Sequence, residues 1–508
     1  MTLDSFPIGI DLGTTFSTVA VFDPASGKPQ VLPNSDGERL TPSAVYITDY
    51  GVIQVGTVAV SQARRTPHRV RRWIKRDMGT DRRIPLGDGS FRAEELSAAI
   101  LAKLVADAEQ YLGTPIRKAV VTVPAYFDEP RRKATVDAAA IAGLEEVRLL
   151  NEPTAAGLTF GMQERPGETF LVYDLGGGTF DVSVMRSGEQ RLEVLSVAGD
   201  HHLGGFDFDV LLAQHLAGRF EEEHGFAPGP DDVEYAADWH ELMAEAEETK
   251  KRLSRLGEVQ ATIRARGHRS DLVVRRREFE DLIAPYVART ENLCLQALGE
   301  ADVEPDQVTA VMLVGGSTRI PSVRRTVRTL LPHLDPMPGV NPDEVVAHGA
   351  AIRAHLLSGA PAGPLRQVQE ITAHPYGVLL KDPDTGKVVN EVLIPKNAPI
   401  PHEVRRTFYT MIQGQTLVTA KLTQGDSMDP EEVSVVAATE LALPPNRQVN
   451  QPIDVTYRYD DEARMHCDFI DRETGLRTAV AYGEGTTGSM PAKEVEAART
   501  SLRTYEIS

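Results

Sequence analysis

The segment Ile10-Asp11-Leu12-Gly13-Thr14-Thr15 returns in modified form as Tyr173-Asp174-Leu175-Gly176-Gly177-Gly178-Thr179. In each copy an apolar strand leads to an aspartate, and glycines and threonines follow it. Glycines expose backbone NH groups and threonines add hydroxyl donors, a combination suited to the oxygens of a polyphosphate. The duplication therefore predicts two turns that hold one nucleotide from opposite sides.

The two aspartates indicate that a cation accompanies the phosphates. Asp11 and Asp174 would otherwise repel the phosphate oxygens, and Mg²⁺ is often held through one or two carboxylates together with substrate phosphates. A single turn of this kind could equally be an ordinary strand-to-turn corner, because Asp and Gly are common turn residues. Two copies with similar flanking strands favour a magnesium-nucleotide site.

Composition narrows the class of protein. A chain of 508 residues is too long for one core and should divide into domains. The net charge of −19 argues against nonspecific binding to nucleic acid, which needs basic surface. We expect a cytoplasmic protein that does not enter membranes, because neither a signal peptide nor an apolar run of about 18 residues is evident. Cys294 and Cys467 are too far apart in sequence to suggest a metal site or a disulfide framework.

Strand and helix patterns alternate up to Leu357. Buried strands are predicted over residues 119–123, 169–173 and 311–314. Helices are predicted over 93–112, which ends at Gly113, and over 242–253, and Asn341-Pro342-Asp343-Glu344 is expected to open a third. Short basic runs such as Arg69-Val70-Arg71-Arg72 are interpreted as solvated faces.

The pattern changes after Leu357. A stretch rich in proline and small residues, Ser358-Gly359-Ala360-Pro361-Ala362-Gly363-Pro364, is typical of a linker. Alternating runs separated by Gly, Pro, Asn and Asp then indicate a mostly antiparallel β-domain. The predicted organisation is an α/β domain over 1–358, a linker over 359–370, a β-rich domain over 371–490, and a short helix or tail over 491–508.

A third glycine turn, Val314-Gly315-Gly316-Ser317-Thr318-Arg319-Ile320-Pro321, follows a predicted strand and precedes a helix. Glycines there would let a flat ligand approach the backbone, and a helix N-terminus favours anionic groups. Such turns are also common without any ligand. This turn supports a nucleotide site only because it is the third turn of this type in the chain.

These turns occur with Val123-Pro124-Ala125-Tyr126-Phe127, Asn151-Glu152-Pro153-Thr154-Ala155-Ala156 and Ala198-Gly199-Asp200-His201-His202-Leu203-Gly204-Gly205. The set resembles the DnaK-type family of heat-shock chaperones, densely up to Leu357 and more weakly beyond. The resemblance implies an α/β actin-like ATPase domain, which is a duplicated two-lobed ribonuclease-H-like fold, followed by a β-sandwich-like domain. The chain looks like a divergent member whose helical lid is missing or vestigial.

The resemblance also implies roles for individual residues, with ATP or ADP and Mg²⁺ as cofactors. Asp11 and Asp174 would hold hydrated magnesium, and the catalytic residues would be Lys75, Glu152, Asp181 and Thr179. The other residues that would bind the nucleotide are Thr14, Thr15, Phe16, Gly176, Gly177, Gly178, Gly204, Gly205, Glu247, Lys250, Lys251, Ser254, Gly315, Gly316, Ser317, Arg319 and Asp343.

One position departs from the family pattern. Lys251 stands where relatives commonly place an arginine against the adenine ring, and a lysine cannot stack a planar guanidinium on the base. We therefore expect somewhat weaker adenine binding. Glu247 and Lys251 are also spaced i, i+4, as in any solvated amphipathic helix.

The segment after the ATPase domain diverges further. The aligned linker, Pro364-Leu365-Arg366-Gln367-Val368-Gln369-Glu370, carries polar residues where relatives have leucines, which puts conventional coupling between the domains in question. Val378, Leu380, Phe408 and Val418 would line a groove for an extended apolar peptide or belong to the core of the sandwich. Without a lid, bound peptide should dissociate quickly.

The leading hypothesis is an ATP-hydrolysing chaperone whose β-domain binds unfolded or extended polypeptide. The alternatives are a small-molecule kinase on the same fold and a nucleotide-switched scaffolding protein. A J-domain cochaperone and a nucleotide-exchange factor are the partners that the resemblance adds, and we expect a monomer.

Overall fold

The computed structural model describes residues 7–508 except 163–165, 231–235, 361, 363, 364, 366, 383, 446, 461–464 and 482–488. Part of the predicted linker therefore lies outside the described residues. Within the described ranges, no helix is both long and apolar enough to cross a membrane.

The first part of the chain builds a six-stranded mixed sheet of order β11-β10-β1-β2-β3, with β4 on β2. Strand β1 pairs in parallel with β10 and antiparallel with β2. Ile8 and Ile10 of β1 are fully buried, as their apolar run predicts. The strands are β1 (Ile8–Asp11), β2 (Phe16–Asp23), β3 (Lys28–Val31), β4 (Thr41–Pro42), β5 (Ala44–Ile47), β6 (Ile53–Val55), β7 (Val70–Arg72), β8 (Ile84–Leu86), β9 (Gly89–Phe91), β10 (Lys118–Val123) and β11 (Glu146–Asn151), and the helices are α1 (Thr57–Gln62), α2 (Ala93–Leu112), α3 (Glu129–Ile141) and α4 (Glu152–Gly161).

The second part repeats this arrangement. Its central strand, β12, pairs antiparallel with β13 and in parallel with β17, as β1 does with β2 and β10. The full sheet has the order β17-β12-β13-β14-β18. Its elements are strands β12 (Thr169–Leu175), β13 (Phe180–Ser187), β14 (Arg191–Asp200), β15 (Glu258–Ala265), β16 (His268–Arg275), β17 (Ala310–Val314) and β18 (Gln367–Gln369), and helices α5 (Gly205–His224), α6 (Ala236–Leu253), α7 (Arg276–Glu300), α8 (Pro321–Leu330) and α9 (Val345–Leu357).

Helices α4 and α9 join the two sheets. They cross so closely at Gly349 that a Cβ atom there would lie 1.7 Å from the carbonyl oxygen of Ala155. Helix α9 also packs on β1, and α4 packs on β12 and β13. The close crossing therefore fixes the relative positions of the two strands that carry the duplicated motif.

The third part is a sandwich of two four-stranded antiparallel sheets, β20-β19-β22-β23 and β21-β24-β25-β26. The mostly antiparallel β-domain predicted from the alternating runs is observed. Its strands are β19 (Tyr376–Lys381), β20 (Val388–Ile394), β21 (His402–Tyr409), β22 (Leu417–Gln424), β23 (Ser434–Ala442), β24 (Pro452–Tyr459), β25 (Met465–Asp471) and β26 (Arg477–Ala481), and helix α10 (Ala492–Leu502) follows.

The predicted linker contains a short strand. Residues Gln367–Gln369 form β18, which pairs in parallel with β14, and the amide of Gln367 donates to the carbonyl oxygen of Gln190 at 3.1 Å. Backbone hydrogen bonds make this pairing, so it does not depend on leucine side chains. Leu365 just before it is buried.

The predicted helix boundaries agree with the observed ones to different degrees. Helix α2 spans the predicted residues, and Gly113 ends it with a φ of 66°. Helix α6 begins at Ala236, six residues earlier than expected. The start at Asn341 is wrong: α9 begins at Val345. Asn341 accepts a hydrogen bond from the amide of Asp343 in a turn, a use of Asn that sequence cannot distinguish from a helix cap.

Candidate functional site

Four carboxylates converge between the two large sheets. Asp11 is the last residue of β1, and Asp174 on β12 lies opposite Asp181 on β13. Glu152 is the first residue of α4. The close α4–α9 crossing brings these elements together, so the two predicted magnesium ligands and two of the predicted catalytic residues share one site.

Burial raises the pKa of these aspartates. The pKa of Asp11 and that of Asp181 rise to about 7, with desolvation as the largest cause and the charge of Glu152 as the next. The pKa of Asp174 is raised well above its usual value for the same two reasons. Excess negative charge of this kind is what a bound cation would neutralise. Among the described residues, no group of three His, Cys, Asp or Glu side chains is placed to hold a metal ion.

Lys75 supplies the positive charge of the cluster. It lies in a short 3₁₀ turn, Ile74–Asp77, and its buried Nζ atom donates to the carbonyl oxygen of Leu12 at 2.6 Å and to Glu152 at 2.5 Å. A buried ammonium group needs such partners to offset its desolvation. The contacts place the charge beside the first glycine turn.

The two copies of the glycine turn face each other. A Cβ atom on Gly177 would lie 2.2 Å from the hydroxyl oxygen of Thr15, and one on Gly178 would lie 2.9 Å from that of Thr14. The second turn also packs on the start of α5, where the amide of Gly205 donates to Gly176 at 3.0 Å. Side chains larger than glycine would force the turns apart, so the repeated motif is a pair of apposed surfaces, as its chemistry predicts.

The third turn closes the other side of the site. Gly315 has a φ of 80°, which favours glycine, and the Ser317 hydroxyl donates to the carbonyl oxygen of Gly176 at 2.9 Å. Arg319 makes a two-bond ion pair with Asp343, at 2.9 and 2.8 Å. The third turn is therefore tied to the second.

A cavity of about 810 Å³ lies between these turns. Most of the predicted nucleotide-site residues line it, whereas Asp181, Gly178 and Gly204 do not. The predicted residues on the wall are Asp11, Thr14, Thr15, Phe16, Lys75, Glu152, Asp174, Gly176, Gly177, Thr179, Gly205, Glu247, Lys250, Lys251, Ser254, Gly315, Gly316, Ser317, Arg319 and Asp343.

Helix α6 contributes two lysines with different environments. Lys250 is buried and bonds both Asp209 and the carbonyl oxygen of Gly205, each at 2.7 Å, so it also braces α5. The side chain of Lys251 is half-exposed and pairs with Glu247 at 2.7 Å. Both lysines line the cavity, but only Lys250 is buried.

Sequence reasoning missed two arginines that bridge the site. Arg72 pairs with Glu247 at 2.7 Å, and Arg76 makes two hydrogen bonds of 2.9 Å to Asp207 on α5. The interpretation of residues 69–72 as a solvated face is therefore wrong for Arg72. Its guanidinium also lies 4.4 Å from the ring centre of Trp73. The local signal was the adjacent tryptophan, a flat surface for a guanidinium.

The cluster is connected to the β-sandwich through Tyr126. Its amide donates to Asp181 at 2.9 Å, and its carbonyl oxygen lies 3.1 Å from Nε2 of His374, just before β19. Nearby, Glu129 at the start of α3 accepts hydrogen bonds from the hydroxyls of Tyr376 at 2.5 Å and Tyr459 at 3.3 Å. The sandwich therefore rests on the segment that fixes Asp181.

The four residues expected near a peptide groove lie along one core. Val378 is buried in the sandwich, and Leu380, Phe408 and Val418 are partly buried against the same cluster. Exposed apolar side chains lie in and beside the β21–β22 connection, namely Tyr409, Met411, Ile412 and Leu417.

The chain matches known proteins over most of its length. A family model described as Hsp70 protein matches residues 7–86 and 83–505. The chain is also 39% identical over 481 residues to "Chaperone protein DnaK" of Thermotoga petrophila (strain ATCC BAA-488 / DSM 13995 / JCM 10881 / RKU-1). That match covers 92% of this chain and 79% of the relative.

Proposed function

The chain belongs to the Hsp70 family and is an ATP-dependent chaperone of the DnaK type that uses ATP, ADP and Mg²⁺, and on that premise we propose that the 810 Å³ cavity is its ATP site. The observation that carries this proposal is the direct apposition of the two glycine turns above a buried carboxylate cluster. In this assignment the ATPase domain spans 1–358, the linker 359–370 and the β-domain 371–490, with the tail over 491–508. The two large sheets are the two lobes.

Asp11 and Asp174 would hold hydrated magnesium, since Asp174 is buried, Asp11 is partly buried at the end of β1, and both carry raised pKa values. Bound magnesium supplies positive charge to the phosphates. Lys75, whose Nζ donates to the carbonyl oxygen of Leu12 and to Glu152, would present its ammonium group to the terminal phosphate. Phosphoryl transfer needs little beyond such positioning and charge stabilisation.

The attacking water would lie among Glu152, Asp181 and Thr179. One oxygen of Asp181 is fixed by the amide of Tyr126, which leaves the other oxygen to accept a proton from water. The phosphates would lie between the turns at Thr14–Phe16 and Gly176–Thr179. The adenosine would lie between α6 and the turn at Gly315.

The β-domain binds unfolded polypeptide, as the family does, and we propose that the surface around the β21–β22 connection receives it. Ile412 is 63% exposed there, and Met411 and Leu417 are also exposed. Apolar side chains gathered on one connection are suited to an extended apolar segment. Val378 contributes from the core beneath, with Leu380, Phe408 and Val418 between the core and the surface. A monomer that uses a J-domain cochaperone and an exchange factor remains our expectation.

Fluorescence anisotropy of a labelled apolar peptide tests this surface. We expect Ile412→Asp to weaken binding at least about tenfold, since a charge replaces an apolar contact. The exposed neighbour Gln413 gives a matched control, because Gln413→Asp adds the same charge without removing an apolar group. Equal affinities of both variants and the unmodified chain would place the peptide site elsewhere. A chain ending at Leu357 should not bind.

A further inference from the structure

The segment Met490–Ser508, called the strap below, follows the β-sandwich but packs on the ATPase domain. Its helix, α10, contacts α3 and α2. Met490, Ala498 and Leu502 are buried in the same apolar cluster as the side chains of α2 and β6. The strap is therefore part of the core around the first sheet and not of the sandwich that precedes it.

The strap also adds a strand. The amide of Ile53 donates to the carbonyl oxygen of Glu506 at 2.9 Å, and that of Val55 donates to Ser508 at 2.9 Å. In return the amide of Ser508 donates to the carbonyl oxygen of Ile53 at 3.0 Å. These bonds satisfy the outer edge of β6, whose residues Ile53 and Val55 are buried and whose amides need partners.

Polar contacts fix the other end of the strap. Nζ of Lys133 on α3 donates to the carbonyl oxygen of Met490 at 3.5 Å. Arg92, at the start of α2, lies 3.9 Å from Glu494. Together with the apolar contacts and the added strand, they hold the strap at three separate places on the ATPase domain.

The strap pairs with the edge of the three-stranded sheet β6-β5-β7, next to the proposed ATP site. With the strap added as a fourth strand, the strand order of this sheet is strap-β6-β5-β7. Strand β7 ends at Arg72, which pairs with Glu247, and Lys75 follows three residues later. The β-sandwich is thus attached to the ATPase domain at both of its ends, through β18 before it and the strap after it.

We propose that the strap is a second tether that keeps the β-domain docked on the ATPase domain with either nucleotide bound. Nine residue steps separate Ala481, the end of β26, from Met490. A chain of that length spans at most about 30 Å when fully extended. While the strap stays in place, the β-domain therefore remains at high effective concentration beside its docking surface.

This tether limits how nucleotide binding can affect the bound polypeptide. While the strap is bound, ATP and ADP can influence the β-domain only through its docked contacts at Tyr126 and the neighbouring residues, because the domain does not separate. With the strap released, the domain could separate on the remaining connection, β18. The proposal deepens the chaperone function, but its first test below does not depend on peptide binding.

Hydrogen exchange of the Ile53 and Val55 amides tests whether the strap binds as described. In a chain ending at Ser489, these amides should exchange at least about tenfold faster. Leu502→Asp should give the same result in the full chain, because it puts a charge into the apolar contact. Ser501→Asp is the matched control, since Ser501 is the exposed neighbour on α10. Unchanged protection in the shortened chain would overturn the proposal.

Energy transfer between the domains tests the tether itself. Dyes can be placed at Lys28→Cys and Met428→Cys, which are exposed, while Cys294 and Cys467 are buried. We expect the full chain to give the same transfer efficiency with ATP and with ADP, and the chain ending at Ser489 to lose efficiency with ADP. A nucleotide-dependent loss in the full chain would refute the tether. A separate ATP titration shows whether the nucleotide binds, so failure of the ATP site would be recognised independently.

Discussion

Glu129 should make docking of the β-domain depend on pH. Its carboxylate is buried between α3 and the sandwich, and one of its oxygens has no hydrogen-bond partner. Desolvation, the largest cause, raises its pKa from 4.5 to about 7, although the hydroxyls of Tyr376 and Tyr459 act in the opposite direction. At about 1.36 kcal/mol per unit, keeping this group charged in the interface costs about 3 kcal/mol. Docking is therefore favoured by protonation.

The size of the effect follows from linkage. In the separated state Glu129 would be exposed and titrate near 4.5, so docking takes up a proton. The contribution to docking is complete below about pH 4.5 and is lost as the pH rises through about 7. Between pH 6 and pH 8 the contribution of Glu129 to the docking constant should fall about tenfold. Glu129→Gln imitates the protonated form and should remove this fall.

The assay is hydrogen exchange of the residue-129 amide, which donates to Gln424 across the interface. Protection, corrected for the intrinsic pH dependence of exchange, should decrease about tenfold more from pH 6 to pH 8 than it does in Glu129→Gln. Burial lowers the pKa of His374 from 6.5 to about 4, so docking releases a proton from His374 and this group acts in the opposite direction in both proteins. Asp181 titrates near 7 as well, so the difference between the two proteins is the decisive quantity. Equal slopes in both would refute the assignment to Glu129.

Three further changes test the ATP site. Lys75→Ala should lower single-turnover hydrolysis by about 10²- to 10³-fold with nucleotide binding largely retained, as for loss of one preorganised charge-stabilising donor; an unchanged rate would remove its catalytic role. Lys251→Arg should tighten ATP binding by about two- to fivefold in calorimetry, because a guanidinium can stack on adenine, and weaker binding would contradict that reasoning. Gly204→Ala should weaken ATP binding at least about tenfold, since its Cβ would lie 2.6 Å from the amide nitrogen of Gly178, whereas Gly218→Ala, with open space at its Cβ, should bind normally.

The residues that line the cavity could be predicted as a group because their sequence signals are local. Asp11 and Asp174 each stand between an apolar strand and a glycine turn, so strand, carboxylate and turn can be recognised in one short segment. The partners of Lys250 could not be found this way. Asp209 lies 41 positions earlier in the chain and resembles any other aspartate near a helix start. A buried ion pair between distant residues has no signature within either segment.

The same limit applies to the docking contacts. Tyr376 and Tyr459 reach Glu129 across 247 and 330 residues, and the strap returns from Ser508 to Ile53. Glu129 and Pro130 form the start of α3. That Glu129 is buried depends on a separate domain placed over it, and sequence patterns within α3 contain no information on that domain.

The polar linker and the strap together determine how much apolar surface is buried when the β-domain docks. Leucines in the linker would bury apolar surface on docking, which contributes about 25 cal/mol for each Å² removed from water. Gln367 and Gln369 are polar and do not supply that contribution, whereas the backbone pairing of β18 with β14 is present. The buried side chains of Met490 and Leu502 restore apolar burial at the other end of the sandwich. Replacing Gln367 and Gln369 by leucine should therefore reduce the dependence of docking on the strap, and energy transfer in the chain ending at Ser489 should then become less sensitive to nucleotide. If the leucines leave that sensitivity unchanged, the strap does not compensate for the linker.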